Sequence, residues 1–243
     1  LKNTYYYFYI YNTIQFLYYL IFLINYYIIY FVIYNSKIYK LVSDNTDKIY
    51  IGGTFTSYNG YPANGIIRLN STGEIDFSFN YGTGFLSAKV NTIELDKFGK
   101  VYVGGEFTAY NGTAVQNFIK LNNDGSINST DFLFNLPVNT IHVTSNQDIY
   151  VGGKFTTYKN NGITTSTVGL VKIDLTGTID TSFSIGSIGF AGSLGTSNLV
   201  KKIHVNDSNK VTVVGDFISY QSTSANGIIQ LNPNGSIDTN FIY

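Results

Sequence analysis

The amino-acid sequence predicts an all-β fold made of four copies of one small antiparallel unit, preceded by an apolar segment. Three observations predict it. The stretch "IYIGGTFTSYNG" at 49–60 recurs three times along the chain, apolar residues alternate in the short runs on either side of it, and turn residues separate these runs. An apolar period of two is typical of half-buried strands, and a recurring strand–turn pattern indicates a repeat architecture.

Residues 1–37 differ in composition from the rest of the chain. No charged residue lies between Lys2 and Lys37, and the stretch at 16–33 is close to the roughly 20 apolar residues that cross a bilayer as a helix. Tyrosines in its middle and Asn25 argue against a span, because tyrosine favours the two ends of a membrane helix. Three interpretations stay open: a membrane anchor, translated sequence without evolved structure, or strand-like packing on the following domain.

Charge and cysteine content exclude several classes of function. Fifteen basic and fifteen acidic residues cancel, and 12% of the chain is charged, so we expect no binding to nucleic acid. The chain has no cysteine, which excludes disulfides and thiolate metal sites. We expect neither a cofactor nor a metal.

The first half of each unit is predicted to be a strand, a short polar turn and a second strand, named A and B. Strand B ends in a glycine pair, except in the fourth unit, where Val214 replaces the first glycine. Missing side chains allow close backbone approach near a crowded centre or at a bulge. The second glycine of the pair occupies one repeat position: Gly53, Gly105, Gly153 and Gly215.

The second half of each unit, as in "GIIRLNSTGEIDFSF", predicts strand C, a turn and strand D. The turn contains a glycine, which adopts a positive φ without steric cost. A four-stranded unit of this size cannot bury both faces alone, so its neighbours must stack on it. The sequence therefore predicts a β-propeller, or a propeller segment, with four four-stranded antiparallel blades. The blades are predicted at about 38–89, 90–137, 138–199 and 200–243, and the turn glycines are Gly73, Gly125, Gly177 and Gly235.

One phenylalanine and one tyrosine follow the glycine pair in every unit. One aromatic pair per unit is what packing between blades requires, and we interpret these residues as structural rather than as the lining of a binding surface. They are Phe55, Phe107, Phe155 and Phe217, with Tyr58, Tyr110, Tyr158 and Tyr220.

The pattern "GGxFTxYNG" followed by "IIRLNxxGxIDxSF" resembles the delta-60 repeat, a β-propeller repeat of large secreted bacterial proteins and some phage-related proteins. The resemblance covers 38–243. A weaker likeness to Kelch repeats rests on the glycine pair after an apolar strand and on a similar period, but the Kelch tryptophan is missing. The resemblance implies a propeller with a tendency toward display or binding, and no universal catalytic residue.

Length variation indicates where a binding site would lie. Gly53 to Gly73 spans 20 residues, whereas Gly153 to Gly177 spans 24, and the D–A connections also vary. In an antiparallel blade the B–C loops and the D–A connections emerge on one face, and insertions on one face mark the binding face of a repeat array. Length drift without function is the alternative. The candidate ligand-contacting residues are Tyr81, Phe85, Lys159, Asn160, Asn161, Phe190 and Asn198.

Chemistry-bearing residues give weak signals. His142 and His204 share one repeat position with Glu94 and Val42, which indicates a duplicated strand position rather than a catalytic or metal site. Positions near the axis are expected to be mainly apolar. Arg68, Lys120, Lys172 and Gln230 form another column, expected on a solvated strand face.

The acidic column after the C–D turn favours turn capping over calcium binding, because alternating acids and a terminal glutamate are missing. Its members are Asp76, Asn128, Asp180 and Asp238.

The sequence thus favours a non-catalytic module for surface display, adhesion or protein and glycan binding. We expect it outside the cell, on a cell surface or on a virion, with membrane attachment through residues 1–37 as one option. Further blades from this or another chain are also expected, because known propellers with this repeat tend to be larger. The alternatives are a glycan-acting propeller enzyme, which would need acids converging near the axis, and a structural spacer.

Overall fold

The computed structural model describes residues 37–86, 88–192 and 199–242, and every regular element in these ranges is a β-strand. The three interpretations of the amino-terminal segment concern residues 1–37, of which 1–36 lie outside the described residues. Within the described ranges, no helix has the length and apolarity needed to cross a membrane.

The strands follow one another in four blades, as predicted. The first blade holds β1 (Ile38–Ser43), β2 (Ile49–Gly53), β3 (Ser57–Tyr58), β4 (Tyr61–Pro62) and β5 (Ile66–Leu69). The second holds β6 (Lys89–Leu95), β7 (Val101–Glu106), β8 (Ala109–Tyr110), β9 (Thr113–Ala114), β10 (Phe118–Leu121), β11 (Ile127–Ser129) and, in the connection to the next blade, β12 (Leu133–Phe134). The third holds β13 (Val138–Val143), β14 (Ile149–Gly153), β15 (Thr157–Asn160), β16 (Ile163–Ser166), β17 (Leu170–Ile173) and, in the connection to the next blade, β18 (Phe190–Gly192). The fourth holds β19 (Lys202–Val205), β20 (Val211–Val214), β21 (Phe217–Tyr220), β22 (Thr223–Ser224) and β23 (Ile228–Leu231).

Strands A, B and C pair in sequence order in every blade, and all pairs are antiparallel. The A strands β1, β6, β13 and β19 contact one another across the blade boundaries, so they form the hub. Among the described residues only the second blade has a full D strand, β11; elsewhere strand D is a single bridge, such as Leu69 to Ile75. Strand D is shorter than predicted because Asp76 begins a turn directly after that bridge, with its Oδ1 accepting the Ser78 N–H at 3.1 Å.

Each B–C loop is itself a two-stranded hairpin, which the sequence analysis did not predict. The central residues Asn59 and Gly60 have φ angles of 48° and 81°, the pair of positive values that a type I′ turn requires. The second and third hairpins use the same Asn-Gly pair. The fourth uses Gln221 and Ser222, at 47° and 65°, so two ordinary residues there take a conformation that costs them energy.

The two glycines at the end of strand B have different roles. A Cβ on Gly53 would lie 2.2 Å from the Lys37 carbonyl oxygen, so the second glycine lets strands A and B of one blade approach. A Cβ on Gly104 would lie 2.5 Å from Val138 Cγ1 of the next blade. The first glycine therefore sets the distance between blades.

The hydrophobic core lies between the blades. One buried cluster joins Tyr50 and Ile66 of the first blade to Val103 and Ile119 of the second, and similar clusters join the second blade to the third and the third to the fourth. Burying apolar area at about 25 cal/mol per Å² favours association of the units. Each interior blade is thus stabilised on two sides by its neighbours.

A buried cation adds a polar link between blades. Arg68, on strand C of the first blade, is 3% exposed and donates to the carbonyl oxygen of Asn123 in the second blade at 2.6 Å. Lys120 of the second blade donates to the Leu175 carbonyl oxygen of the third at 2.7 Å. The expectation of a solvated strand face is therefore wrong for Arg68 and Lys120, because strand C faces the next blade there.

The fourth blade departs from the others on the corresponding face. Val214 replaces the first glycine of the pair, Thr212 replaces a tyrosine, and Gln230 replaces the cation. Gln230 donates to the Thr212 hydroxyl of its own blade at 2.9 Å. All three side chains are partly exposed.

The role of the first glycine in setting the distance between blades can be tested by substitution. Gly104→Val should lower the free energy of unfolding by roughly 2–3 kcal/mol, because its side chain would overlap Val138. Val214→Gly, the reverse change on the partly exposed face, should cost about 1 kcal/mol or less. Urea unfolding measures both; equal losses would show that the first glycine does not set blade spacing.

Candidate functional site

The B–C hairpins and the D–A connections meet on one face of the array, here called the loop face (57–62, 80–86, 88–89, 109–114, 132–137, 157–166, 184–192 and 217–224). They are joined across blade boundaries by backbone hydrogen bonds. β12 pairs with β15, and β18 pairs with β21, so each of these connections adds a strand to the hairpin of the following blade. At the first boundary the Asn111 N–H donates to the Gly84 carbonyl oxygen at 2.9 Å. The loop face is therefore one continuous surface.

The third hairpin carries three of the candidate residues. Its arms β15 and β16 have four residues each, and this extra length accounts for the longer B–C spacing. Lys159 pairs with Leu133 and Thr164 along the backbone and is exposed, and Asn161 is exposed at the tip. Within the described residues the Oδ1 atom of Asn160 is buried and accepts no hydrogen bond. This hairpin is therefore longer than those of the first and second blades.

Phe85 and Phe190 are not on the surface. Each is 1% exposed. The Phe85 ring lies 4.4 Å from Phe107 and 4.8 Å from Tyr110 between centroids, and Phe190 makes the same contacts with its own following blade. A large apolar ring is better placed in the core than in water, so these two residues hold the connections in place and offer no surface to a ligand.

Tyr81 and Asn198 complete the candidate set. Tyr81 is half-buried, and its hydroxyl donates to the Pro62 carbonyl oxygen at 2.9 Å, which ties the first D–A connection to the first hairpin. Burial raises the pKa of Tyr81. Asn198 lies outside the described residues.

The repeated tyrosine has the structural role that the sequence predicted. Its ring is buried in every blade, and its hydroxyl donates to the carbonyl oxygen of the C–D turn glycine in the same blade. Burial raises the pKa of Tyr220 to about 12. The four bonds are Tyr58 to Gly73 at 2.7 Å, Tyr110 to Gly125 at 2.8 Å, Tyr158 to Gly177 at 2.7 Å and Tyr220 to Gly235 at 2.6 Å.

Polar side chains lie at the hub, where mainly apolar ones were expected. Lys40 Nζ lies 2.5 Å from Glu94 Oε1 of the next blade, and the rings of His142 and His204 are 6.1 Å apart. Burial lowers the pKa of His142, with Glu94 opposing and the His204 and Lys40 charges reinforcing the shift. Burial, and then the Lys40 charge, lower the pKa of Lys202. Among the described residues, no group of three or more His, Asp or Glu side chains could hold a metal ion.

The opposite face is formed by the A–B and C–D turns and is here called the turn face. It carries a cleft of about 570 Å³ between the first two blades. Asp76 lies beside it and accepts hydrogen bonds from Lys48, Ser78 and Arg68. Burial alone would raise the pKa of Asp76. These bonds and the Arg68 charge outweigh burial and hold that pKa well below its usual range. The carboxylate is fully engaged by its own blade, in agreement with a turn-capping role.

Four stacked antiparallel sheets, joined at their inner strands and built from one duplicated unit, define a β-propeller repeat protein. The chain belongs to the family described as a domain of unknown function (DUF5122) beta-propeller, whose model matches residues 45–79, 99–130, 148–183 and 208–241. Each match runs from an A–B turn to the region of strand D. The match does not carry the delta-60 name, which stays an interpretation of the sequence.

Solved structures with similar folds include a protein of unknown function from Bacteroides caccae, with a TM-score of 0.50 and 11% identity, covering 84% of this chain and 66% of that one. The extracellular domain of a putative one component system from B. thetaiotaomicron has a TM-score of 0.46 and 16% identity, covering 84% and 23%. Catalytically inactive virginiamycin B lyase from Staphylococcus aureus has a TM-score of 0.46 and 15% identity, covering 83% and 58%.

The chain spans less than two thirds of the length of each of these structures. At such low identity the likeness concerns the fold alone. None of the curated proteins matches the chain.

The hub charges give a pH prediction. The folded pKa of His142 is lowered from 6.5, so the unfolded chain binds more protons, and this group makes stability rise with pH up to about 6.5. His142→Asn should remove that part of the pH dependence in urea unfolding. By NMR titration, Glu94→Gln should lower the pKa of His142 further, and His204→Asn should raise it; shifts in the opposite directions would contradict the hub geometry.

Proposed function

We propose that this chain is a non-catalytic binding module that holds a protein or glycan ligand on its loop face, outside the cell, on a cell surface or on a virion. The observation that carries the proposal is the placement of exposed apolar side chains. Four large apolar residues with about half or more of their surface in water lie on the loop face, at Leu86, Ile163, Ile188 and Ile218, whereas Phe98 is exposed on the turn face. Exposed apolar groups gathered on one face are typical of interaction surfaces.

The scaffold supports this placement. The turn face has nearly constant loop lengths, and its turns are closed by side chains such as Asp44, whose Oδ1 accepts the Lys48 N–H at 3.1 Å. The loops of the loop face vary in length. Two of its connections are nevertheless held in place, because β12 and β18 pair with the hairpins of the following blades. Loops of variable sequence on a rigid scaffold are the usual location of binding residues.

The hub supports a second candidate, a glycan-acting enzyme. Glu94, His142 and His204 are titratable groups from three blades that converge there. Against it, Glu94 is already paired with Lys40, whereas glycoside hydrolysis uses two carboxyl groups about 5–10 Å apart. Release of reducing sugar that disappears in Glu94→Gln would favour the enzyme over the binding module.

The first blade supports the proposal of a further blade in this or another chain. Leu41 on its inner strand is 41% exposed, whereas Ile93 and Ile141 at the same repeat position are 0% and 2% exposed. Each of those isoleucines packs against a preceding blade. A preceding blade would cover Leu41 in the same way.

Arrays of glycans and of surface proteins, probed with the full chain, test the binding function. We expect a ligand whose affinity falls about tenfold or more when Lys159, Asn160, Ile163 and Thr164 are deleted together, which shortens the third hairpin to the length of the second. Asn45→Ala, on the turn face, is the control and should bind normally. If the chain binds nothing on any array, a structural spacer is favoured. If the deletion leaves the affinity for a ligand unchanged, that ligand binds away from this hairpin.

A further inference from the structure

The first blade carries an exposed pair of aromatic rings at the edge of the loop face, one ring within it and one beside it. Tyr61, in the first B–C hairpin, is 53% exposed, and Phe77, just after strand D, is 70% exposed. Their ring centroids lie 5.9 Å apart, with an angle of 70° between the ring planes. Two large rings thus contact each other with more than half of their surface in water.

The other blades do not need this pair. The residues that follow the hairpin turn where Tyr61 stands are Thr113, Ile163 and Thr223. Those that stand at the position of Phe77 are Ser129, Thr181 and Thr239. Threonine therefore satisfies the fold at both positions. The buried rings of the first blade, such as Phe79 at 1% exposure, supply the packing. Stability therefore does not explain why aromatic residues occupy these two exposed positions in the first blade.

The two rings are held on well-fixed backbone. A two-residue turn closes the Tyr61 hairpin, and Tyr81 donates to the carbonyl oxygen of Pro62, the next residue. Phe77 lies between Asp76 and Ser78, which are bonded to each other through both the backbone and the hydroxyl of the serine. A surface that is rigid before binding loses less entropy when a ligand arrives.

We propose that Tyr61 and Phe77 form a platform for a neutral sugar ring of a glycan, which specifies the ligand class of the proposed binding function and rests on it. A sugar ring has an apolar C–H face that packs on an aromatic ring, and hydroxyl groups at its edge. The Tyr61 hydroxyl is suited to those hydroxyls, as is the amide of Asn59, an exposed residue of the same hairpin turn. Hence Tyr61 both packs on the sugar and bonds to it.

Charge and size favour a neutral sugar over the other ligands. The chain has a formal net charge of +0 and 15 basic residues in 243, which gives no attraction for a polyanion. A protein hot spot requires aromatic anchors surrounded by a ring of contacts that excludes water. Tyr61 and Phe77 are two isolated, water-exposed rings, which match one or two sugar units better than a protein surface.

The test compares the full chain with a double variant, Tyr61→Thr with Phe77→Thr, which installs the two residues that the fourth blade carries. Isothermal titration uses neutral oligosaccharides of glucose, mannose, galactose and N-acetylglucosamine as probes. We expect at least one to bind, and the double variant to lose tenfold or more in affinity with an unchanged unfolding midpoint. The control is Phe98→Ser, which removes a ring that is 63% exposed on the turn face and should leave binding unchanged.

The outcomes separate this inference from the proposed function. A neutral oligosaccharide that binds the double variant as well as the native chain would overturn the platform and leave the loop-face function standing. Binding of none of these sugars, with a peptide or protein ligand lost in the double variant, would overturn the sugar class alone. Absence of any ligand for the full chain would overturn both proposals.

Discussion

The distance between strand B of one blade and strand A of the next is the constraint on which the other contacts depend. It is short because Gly52, Gly104 and Gly152 have no side chain, and the next blade places valine and isoleucine side chains where a Cβ would stand. The hydrophobic clusters span blade boundaries for this reason. Because apolar burial is shared between units, one blade has no complete core of its own, as in other repeat proteins.

The polar contacts follow from the same spacing. Arg68 and Lys120 reach backbone carbonyl groups of the next blade, and a buried cation needs such acceptors to compensate for lost hydration. The turn face and the hub are therefore occupied by structural bonds. The loop face carries cross-blade bonds as well, because the Asn111 N–H at the tip of the second hairpin donates to the Gly84 carbonyl oxygen. Candidate binding residues therefore stand on loops that structural bonds hold in place.

Much of the fold could be predicted from the sequence, because duplication repeats each signal four times. The strands A, B and C, the positive φ of the turn glycines and the packing role of the Phe55 and Tyr58 columns are all confirmed. The hairpins were missed although Asn-Gly is a strong hairpin signal. Their presence could have been predicted from the sequence.

Other features could not be predicted, because a single sequence shows periodicity but not the partner of each face. Alternation marks Arg68 as lying on one face of strand C, yet only the neighbouring blade makes that face buried. Phe85 and Phe190 lie in loops by sequence, and their burial depends on contacts with the following blade. The same holds for the hub, where Lys40 and Glu94 meet only after two blades have stacked.

The pairing of β12 with β15 and of β18 with β21 has a consequence for dissecting the molecule. Each connecting segment leaves one sequence repeat but completes the rim of the next, so the structural module is offset from the duplicated unit. Truncations made at repeat boundaries would take a rim strand from the module that is kept. A shortened chain intended to stay folded should instead begin just after strand D, so that every retained sheet keeps the segment that precedes it.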